Sequence, residues 1–182
     1  MKEFILEVKK VLPTNICKKV IDYYDDDKLN LAGFGENKHD RNTRNCETRD
    51  ILQPTTFGQR ILSNYIKRIF FGLADEYQKK HLHYHYNKIS QLDLLKYEAN
   101  EYDAGYKYHI DHGARAPERS ISISLCLNND FEGGEFNFDF GREHMVPQNI
   151  GDALVFPSSF MFPHKVHKIN KGTRYALIGW IV

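Results

Sequence analysis

The hydrophobic positions of the chain follow two different periods. Phe4, Leu6 and Val8 alternate with polar residues and predict a first strand, and two stretches of helical spacing then begin at Thr14 and Pro54. From about residue 89 onward, apolar and polar residues alternate in short runs separated by Gly, Asp and Asn turns, most clearly over 120–127. The pattern therefore predicts one strand and two helices, followed by about eight short strands.

This order of elements indicates a single α+β domain over residues 1–182, with the first strand and the helices in 1–88 and a strand-rich core in 89–182. We expect that core to be a double-stranded β-helix, or jelly roll, with the N-terminal helices packed on one of its sheets. Residues 29–48 are polar and rich in Gly and Asn, so they are predicted to form a long loop. Two interpretations of the loop stay open, a lid over a binding site and a surface segment without function.

The composition limits the possible binding partners more than it limits the possible reactions. The chain has 25 Lys and Arg against 24 Asp and Glu, so no overall charge favours binding to nucleic acid or to a membrane surface. The N-terminus has no long apolar run, and neither a signal peptide nor a membrane span is expected. Three cysteines without a CxxC pair argue against a disulfide framework and for a reducing, cytoplasmic compartment. Composition does not determine the oligomeric state, and we expect a monomer.

A candidate metal site begins at His109 and Asp111. Residues two apart on a strand point to the same face, so one strand can offer an imidazole and a carboxylate to one ion. A second imidazole would complete the two-histidine, one-carboxylate set of non-haem Fe(II) oxygenases. The pattern alone leaves several histidines open for that position, namely His112, His144, His164 and His167.

An arginine in the last predicted strand points to a second ligand. Arg174, Ala176, Ile178 and Trp180 share one face of this strand, and the apolar members suggest that the face is interior. An interior guanidinium is costly unless it is paired, and a bound dicarboxylate would pair with its planar fork. The alternative is that Arg174 points into solvent.

These residues, taken in order, resemble the Fe(II)/2-oxoglutarate-dependent oxygenases, and within them the prolyl 4-hydroxylase-like group. The resemblance covers about half of the chain, from Leu92 to Trp180. The segments that carry it are Tyr97, Gly105 to Asp111, Arg119-Ser120, Phe131 to Glu135, Gly151 to Ser158, His164 to Val166, and Gly172 to Trp180.

The resemblance implies roles for individual residues. It implies that His109, Asp111 and His164 are the iron ligands, with His164 preferred to His167 because His164 lies ten residues before the arginine. Arg174 would bind the distal carboxylate of 2-oxoglutarate, and the hydroxyl of Tyr97 would support the same carboxylate. The residues that would line a pocket for a peptidyl proline are Tyr106, Arg119 and Trp180.

The implied reaction is hydroxylation of a prolyl residue in a peptide or protein. It would consume 2-oxoglutarate and O2, require Fe(II) with ascorbate as a reductant, and release succinate and CO2. Three alternatives stay open: the same chemistry on a free amino acid or small metabolite, the same chemistry on an alkylated base, and a metal-binding jelly roll without catalysis. The near-neutral charge disfavours an alkylated base as the substrate, and so does the presence of only one arginine, Arg174, in the last predicted strand. The complete set of His, Asp, His and Arg disfavours a metal-binding jelly roll without catalysis.

Overall fold

The computed structural model describes residues 1–25, 29–33, 40–82, 84–100, 103–113 and 116–182. Within these ranges the protein consists of two β-sheets and two α-helices, with a 3-10 turn at Lys2–Phe4. The helices are α1 (Thr14–Tyr24) and α2 (Phe57–Lys80). The strands in chain order are β1 (Leu6–Val8), β2 (Asn30–Leu31), β3 (Arg44–Asn45), β4 (Glu47–Asp50), β5 (Ile89–Glu98), β6 (Gly105–His109), β7 (Ile121–Cys126), β8 (Phe131–Gly133), β9 (Phe136–Asp139), β10 (Glu143–Val146), β11 (Ala153–Pro157), β12 (His164–Val166) and β13 (Ile169–Ile181).

The larger sheet has the strand order β1-β11-β7-β13-β5-β4-β2, and β8 pairs with β13 outside this order. The smaller sheet has the order β10-β9-β12-β6-β3. All of the pairings between these strands are antiparallel. Strands that are distant in sequence therefore lie side by side, which is consistent with the predicted double-stranded β-helix.

The helices cover one face of the larger sheet. Helix α2 begins with a capping box, in which the Thr56 side chain accepts from the Gln59 amide and the Gln59 side chain caps Thr56 in return. Its apolar stripe, which includes Phe70, packs against the helix-facing residues of β13, such as Leu177, in one buried cluster. Helix α1 contributes its own buried stripe to that cluster, including Val20.

A second cluster fills the space between the two sheets. The opposite face of the larger sheet contributes Tyr97, Phe156 and Trp180, and the smaller sheet contributes Phe136 and Val166. Alternation along β5 and β13 separates the two clusters, because successive side chains of a strand point to opposite faces. The face of β13 that the sequence predicts to be interior is therefore the one that faces the smaller sheet.

Two predictions about the strands are wrong. The segment 29–48 is not one long loop: β2, β3 and the start of β4 lie within it, and they pair with β4, β6 and β5 respectively. Residues 34–39 of that segment lie outside the described residues. The Asn-Lys-Gly sequence at 170–172 also predicts a turn between the last two strands. The structure has no such break, because β13 continues through Gly172, whose φ of +77° and close contact with the Asp130 carbonyl favour glycine.

None of the described helices is long and apolar enough to cross a membrane. The three cysteines, Cys17, Cys46 and Cys126, are all buried and unbridged.

Gly179 of β13 provides a test of the contact between the helices and the sheet. A Cβ at this position would lie 2.6 Å from Cε1 of Phe70 and 3.1 Å from Cδ1 of Leu92, so Gly179→Ala should overpack the cluster. We expect the free energy of unfolding in urea to fall by about 1–3 kcal/mol.

Gly72→Ala is the matched control. Gly72 lies in α2 with nothing within 4 Å of the new methyl group, so the same substitution should stabilise the helix by roughly 0.5–1 kcal/mol. Equal effects of the two substitutions would contradict the packing of α2 on β13.

Candidate metal centre and adjoining cavity

Three potential metal ligands meet where the smaller sheet faces the interior. The antiparallel pairing of β6 and β12 places His109 directly opposite His164, and Asp111 lies two residues beyond the end of β6. Nε2 of His109 lies 3.7 Å from Oδ1 of Asp111, and Nε2 of His164 lies 3.5 Å from Oδ2. Among the described residues these three form the one group of His, Cys, Asp or Glu whose ligand atoms lie close enough, within 4.8 Å of one another, to hold a metal ion.

Backbone carbonyls fix the orientation of both imidazoles. Nδ1 of His109 lies 2.8 Å from the Lys107 carbonyl oxygen, and Nδ1 of His164 lies 3.0 Å from the Phe162 carbonyl oxygen. A carbonyl only accepts, so each Nδ1 carries the proton and each Nε2 presents its lone pair to the centre. This is the usual arrangement for metal-binding histidines.

The protonation states suit a cation. Burial, reinforced by the neighbouring His164, lowers the pKa of His109 to about 3, which keeps this imidazole neutral at neutral pH. Burial alone would raise the pKa of Asp111, but the two imidazoles and the Ser122 hydroxyl bring it below its ordinary value. Ser122 donates to Oδ2 of Asp111 at 2.6 Å, and its own oxygen lies 2.8 Å from that of Ser158. Two imidazole nitrogens and one carboxylate fit a divalent ion such as Fe(II).

The other candidate histidines lie elsewhere. The ring of His112 bonds to the Arg119 carbonyl, and His144 lies in β10 opposite Phe138. His167 lines a second cavity, together with Lys107 and Lys165.

The same interior space contains a buried guanidinium. Arg174 is only 2% exposed, and no carboxylate among the described residues lies within ion-pairing distance of it. Its Nη2 makes one long contact of 3.4 Å with Oε1 of Gln148, and its guanidinium carbon lies 5.5 Å from the centre of the Tyr97 ring. A buried cation without a counter-ion fits an anionic ligand, and the planar fork fits a carboxylate.

A cavity of about 570 Å³ joins the guanidinium to the metal centre. Its wall includes Arg174 and Tyr97 as well as the three potential metal ligands, and it also includes the residues predicted to contact a substrate, Tyr106, Arg119 and Trp180. The Tyr106 ring stacks on His109 with 3.4 Å between ring centres. The guanidinium of Arg119 lies 3.7 Å above the Trp180 ring. The structure thus brings together the eight residues to which the resemblance gives a role, whereas the other three candidate histidines lie outside this cavity wall.

Sequence reasoning missed several polar residues of the same wall. Arg44 lies in β3, directly opposite Tyr106, and its guanidinium carbon is 4.8 Å from the centre of the Tyr106 ring. Asp93 and Gln91 lie on β5 and line the cavity beside Arg119. The alternation of β5 could have identified Gln91 and Asp93, because they share one face of the strand with Tyr97. Nothing in the sequence pairs β3 with β6.

Comparison with known proteins identifies the family of the chain. Residues 92–182, half of the chain, match the model of the 2OG-Fe(II) oxygenase superfamily. The chain therefore belongs to that family, whose members are 2-oxoglutarate- and Fe(II)-dependent oxygenases.

One curated relative is a PKHD-type hydroxylase of Idiomarina loihiensis, which is 32% identical over 99 residues. The match covers 52% of this chain and 43% of the relative, so it spans less than half of the relative's length.

Two solved structures are similar over 98% of the chain. A prolyl hydroxylase of Trichoplax adhaerens, in complex with a hypoxia inducible factor peptide fragment, superposes with a TM-score of 0.84 at 17% identity and is covered to 83% of its length. A prolyl-4-hydroxylase of Pseudomonas putida has a TM-score of 0.75 at 20% identity and is covered to 92%. At these identities the similarity shows the fold alone.

The charge of Asp93 gives the site a testable pH dependence. Burial, together with the neighbouring Asp50, raises the pKa of Asp93 to about 6. Between the unfolded value near 3.8 and this value the folded protein binds more protons than the unfolded chain, so the contribution of Asp93 to stability is lost as pH rises through 6.

Asp93→Asn should therefore raise the free energy of unfolding at pH 7.5 by up to about 3 kcal/mol and change it little at pH 4. Urea unfolding at both pH values measures the difference. The exposed Glu135→Gln serves as the control and should show no such dependence. If Asp93→Asn changed the free energy of unfolding by the same amount at both pH values, the raised pKa of Asp93 would be contradicted.

Proposed function

We propose that this protein is a dioxygenase that hydroxylates prolyl residues in a peptide or protein, using Fe(II), 2-oxoglutarate and O2, and that it releases succinate and CO2. The observation that carries the proposal is that one cavity joins the group of His109, Asp111 and His164 to the buried guanidinium of Arg174, which has no ion-pair partner among the described residues. An oxygenase of this class needs both features in one space, a metal with open positions and an anchor for the cosubstrate.

The metal would be held by Nε2 of His109, by the Asp111 carboxylate and by Nε2 of His164. Each ligand has a partner that orients it, namely the Lys107 carbonyl, the Ser122 hydroxyl and the Phe162 carbonyl. Such partners pre-organise the ligands, so binding an ion costs little rearrangement. Three protein ligands leave coordination positions free for other molecules.

Arg174 would anchor the distal carboxylate of 2-oxoglutarate, with the Tyr97 ring beside it. Gly134 leaves room for this arginine, because a Cβ there would lie 3.0 Å from Cδ of Arg174 and 2.4 Å from Cδ1 of Ile169. The apolar wall beside Arg174, which includes Leu95 and Ile178, would keep water from the anchored cosubstrate.

When bound, Fe(II), 2-oxoglutarate and O2 supply the oxidising chemistry, with ascorbate as the proposed external reductant. The protein binds the cosubstrates, orients the substrate C–H bond and excludes water. Tyr106 and Trp180 would hold a proline ring by apolar contact. Arg119, fixed over Trp180 and bonded to Gln91 at 2.6 Å, would donate to a peptide carbonyl. The two prolyl hydroxylases with the same fold support a prolyl substrate.

A second candidate is the same chemistry on a free amino acid or small metabolite. The observation that favours it is the charge along the cavity wall, where Arg44, Asp93 and Arg119 lie beyond the proposed metal and cosubstrate sites. A ligand with both charges would match such a wall.

Mass spectrometry on a panel of proline-containing peptides and free amino acids tests both candidates. With Fe(II), 2-oxoglutarate, ascorbate and O2, we expect a gain of one oxygen atom on proline in at least one peptide, with an equal amount of succinate. Oxygen added only to a free amino acid would favour the second candidate.

His109→Ala and Asp111→Ala should each abolish both products, because either change removes a proposed ligand. His85→Ala, which removes an exposed histidine remote from the centre, is the control and should retain activity. Wild-type rates in either ligand variant would rule out the proposed metal centre.

Arg174→Ala should mainly weaken the affinity for 2-oxoglutarate. Loss of a buried, charge-assisted contact typically costs on the order of tenfold to a hundredfold in binding. The measurement is the KM for 2-oxoglutarate from succinate release, and Arg142→Ala, at an exposed arginine, is the matched control. An unchanged KM would remove Arg174 from the cosubstrate site.

A further inference from the structure

One carboxylate of the cavity has no part in the chemistry described so far. Asp93 lies on β5, where its register neighbours are Ile178 of β13 and Asp50 of β4. It is only 4% exposed, yet it forms part of the cavity wall. Its Oδ2 accepts a hydrogen bond of 2.6 Å from Nε2 of Gln91. No Lys, Arg or His among the described residues makes an ion pair with it.

The nearby cations already have other partners. Nη1 of Arg44 donates to the Gly33 carbonyl at 2.7 Å, and its guanidinium lies over Tyr106. Arg119 donates to Gln91 at 2.6 Å and lies over Trp180.

The nearest acidic neighbour makes the position of Asp93 less favourable still. Asp50 is directly opposite Asp93 on β4 and, together with burial, raises its pKa, an effect that the charge of Arg44 offsets only in part. A buried carboxylate beside a like charge is costly without a cation, and the pair is stabilised when a ligand supplies one.

We propose that Asp93 determines substrate specificity by binding a protonated amine of the substrate. This inference rests on the proposed function, because it assigns the substrate to the same cavity. The amine can come from two sources, a lysine side chain near the target residue of a peptide or the α-ammonium group of a free amino acid.

The position of Asp93 separates the amine from the cosubstrate. Asp93 is four residues from Tyr97 on the same face of β5, which corresponds to roughly 13 Å along the strand. The register of β13 places Arg174 opposite Tyr97 and Trp180 opposite Gln91. The amine would therefore lie at the Trp180 end of the cavity, away from the proposed anchor of 2-oxoglutarate.

Gln91 links this carboxylate to a guanidinium. Its Nε2 donates to Asp93 and its Oε1 accepts from Arg119, so the two hydrogen bonds fix the orientation of the amide. Asp93 and Arg119 are thus held as opposite charges at the two ends of one side chain. A substrate with an ammonium group near a carbonyl or carboxylate complements this pair.

Two sets of paired ligands test the inference. The first set contains proline peptides with lysine at each position from two before to two after the proline, against the same peptides with Nε-acetyl-lysine. The second set contains free amino acids, proline among them, against their N-acetyl derivatives. Binding is measured without O2, in the presence of Fe(II) and 2-oxoglutarate, by the fluorescence of Trp180, the single tryptophan of the chain.

We expect the amine to bind about tenfold or more tightly than its acetylated partner in one of the sets, as for a charge-assisted hydrogen bond. The set that shows the preference identifies the source of the amine. Asp93→Asn should reduce the ratio of the two affinities to about one, chiefly by weakening the binding of the amine. Asp50→Asn, a control that removes the neighbouring carboxylate outside the cavity wall, should keep the ratio.

The inference is overturned if no pair shows a preference, if no amine binds, or if Asp93→Asn retains the wild-type ratio. Equal losses in Asp93→Asn and Asp50→Asn would also overturn it, because they would indicate a general charge effect. Mass spectrometry of the same ligands separates it from the proposed function. Equal hydroxylation of proline in an amine ligand and in its acetylated form would contradict the amine site but not the prolyl reaction. Selective binding of the amine without any hydroxylation of proline would contradict the prolyl reaction but not the amine site.

Discussion

The antiparallel pairing of β6 with β12 is the constraint on which the site depends. It sets His109 opposite His164, so two imidazoles from segments 55 positions apart in the chain share one face of the smaller sheet. Two further hydrogen bonds, from Ser122 to Asp111 and from the His112 amide to the Ser158 carbonyl, tie the segment after β6 to the larger sheet. The candidate metal centre is therefore built by strand register between two sheets, and a slip of one residue would turn one imidazole away.

Charge burial is the second constraint. Arg174, Asp111 and Asp93 all lie between the sheets, where an unpaired charge is costly. The cost of burying Asp111 is offset by its contacts with two imidazoles and a hydroxyl. Arg174 and Asp93, in contrast, have no ion-pair partner among the described residues. Keeping such groups in a cavity costs stability, and their opposite signs fit the proposed anionic cosubstrate at one end of the space and the proposed amine at the other.

Much of this arrangement follows from local rules that the sequence displays. Helical spacing identifies α2, and alternation identifies β7 and the interior face of β13, including Arg174 and Trp180. The two-residue spacing of His109 and Asp111 indicates a shared face. Local rules do not identify the partner histidine, because the choice between His164 and His167 depends on which strand lies beside β12.

The remaining errors have the same origin. The segment 29–48 lacks hydrophobic alternation, so its strands are specified by pairing with β5 and β6 rather than by their own sequence. Gly172 resembles a turn residue, but it lies within a continuous strand where the backbone of 130–131 comes close. Alternation places Asp93 on the same face of β5 as Tyr97, but it does not show what lies opposite a single acidic residue in an apolar strand.

Anaerobic equilibrium dialysis with Fe(II), with and without 2-oxoglutarate, measures whether the metal and the cosubstrate share one site. We expect a single ion bound per chain in the wild type, tighter binding when 2-oxoglutarate is present, and loss of that ion in His164→Ala but not in His167→Ala. Fe(II) binding that survives the loss of His164, or that is indifferent to 2-oxoglutarate, would contradict a shared site for metal and cosubstrate between the two sheets.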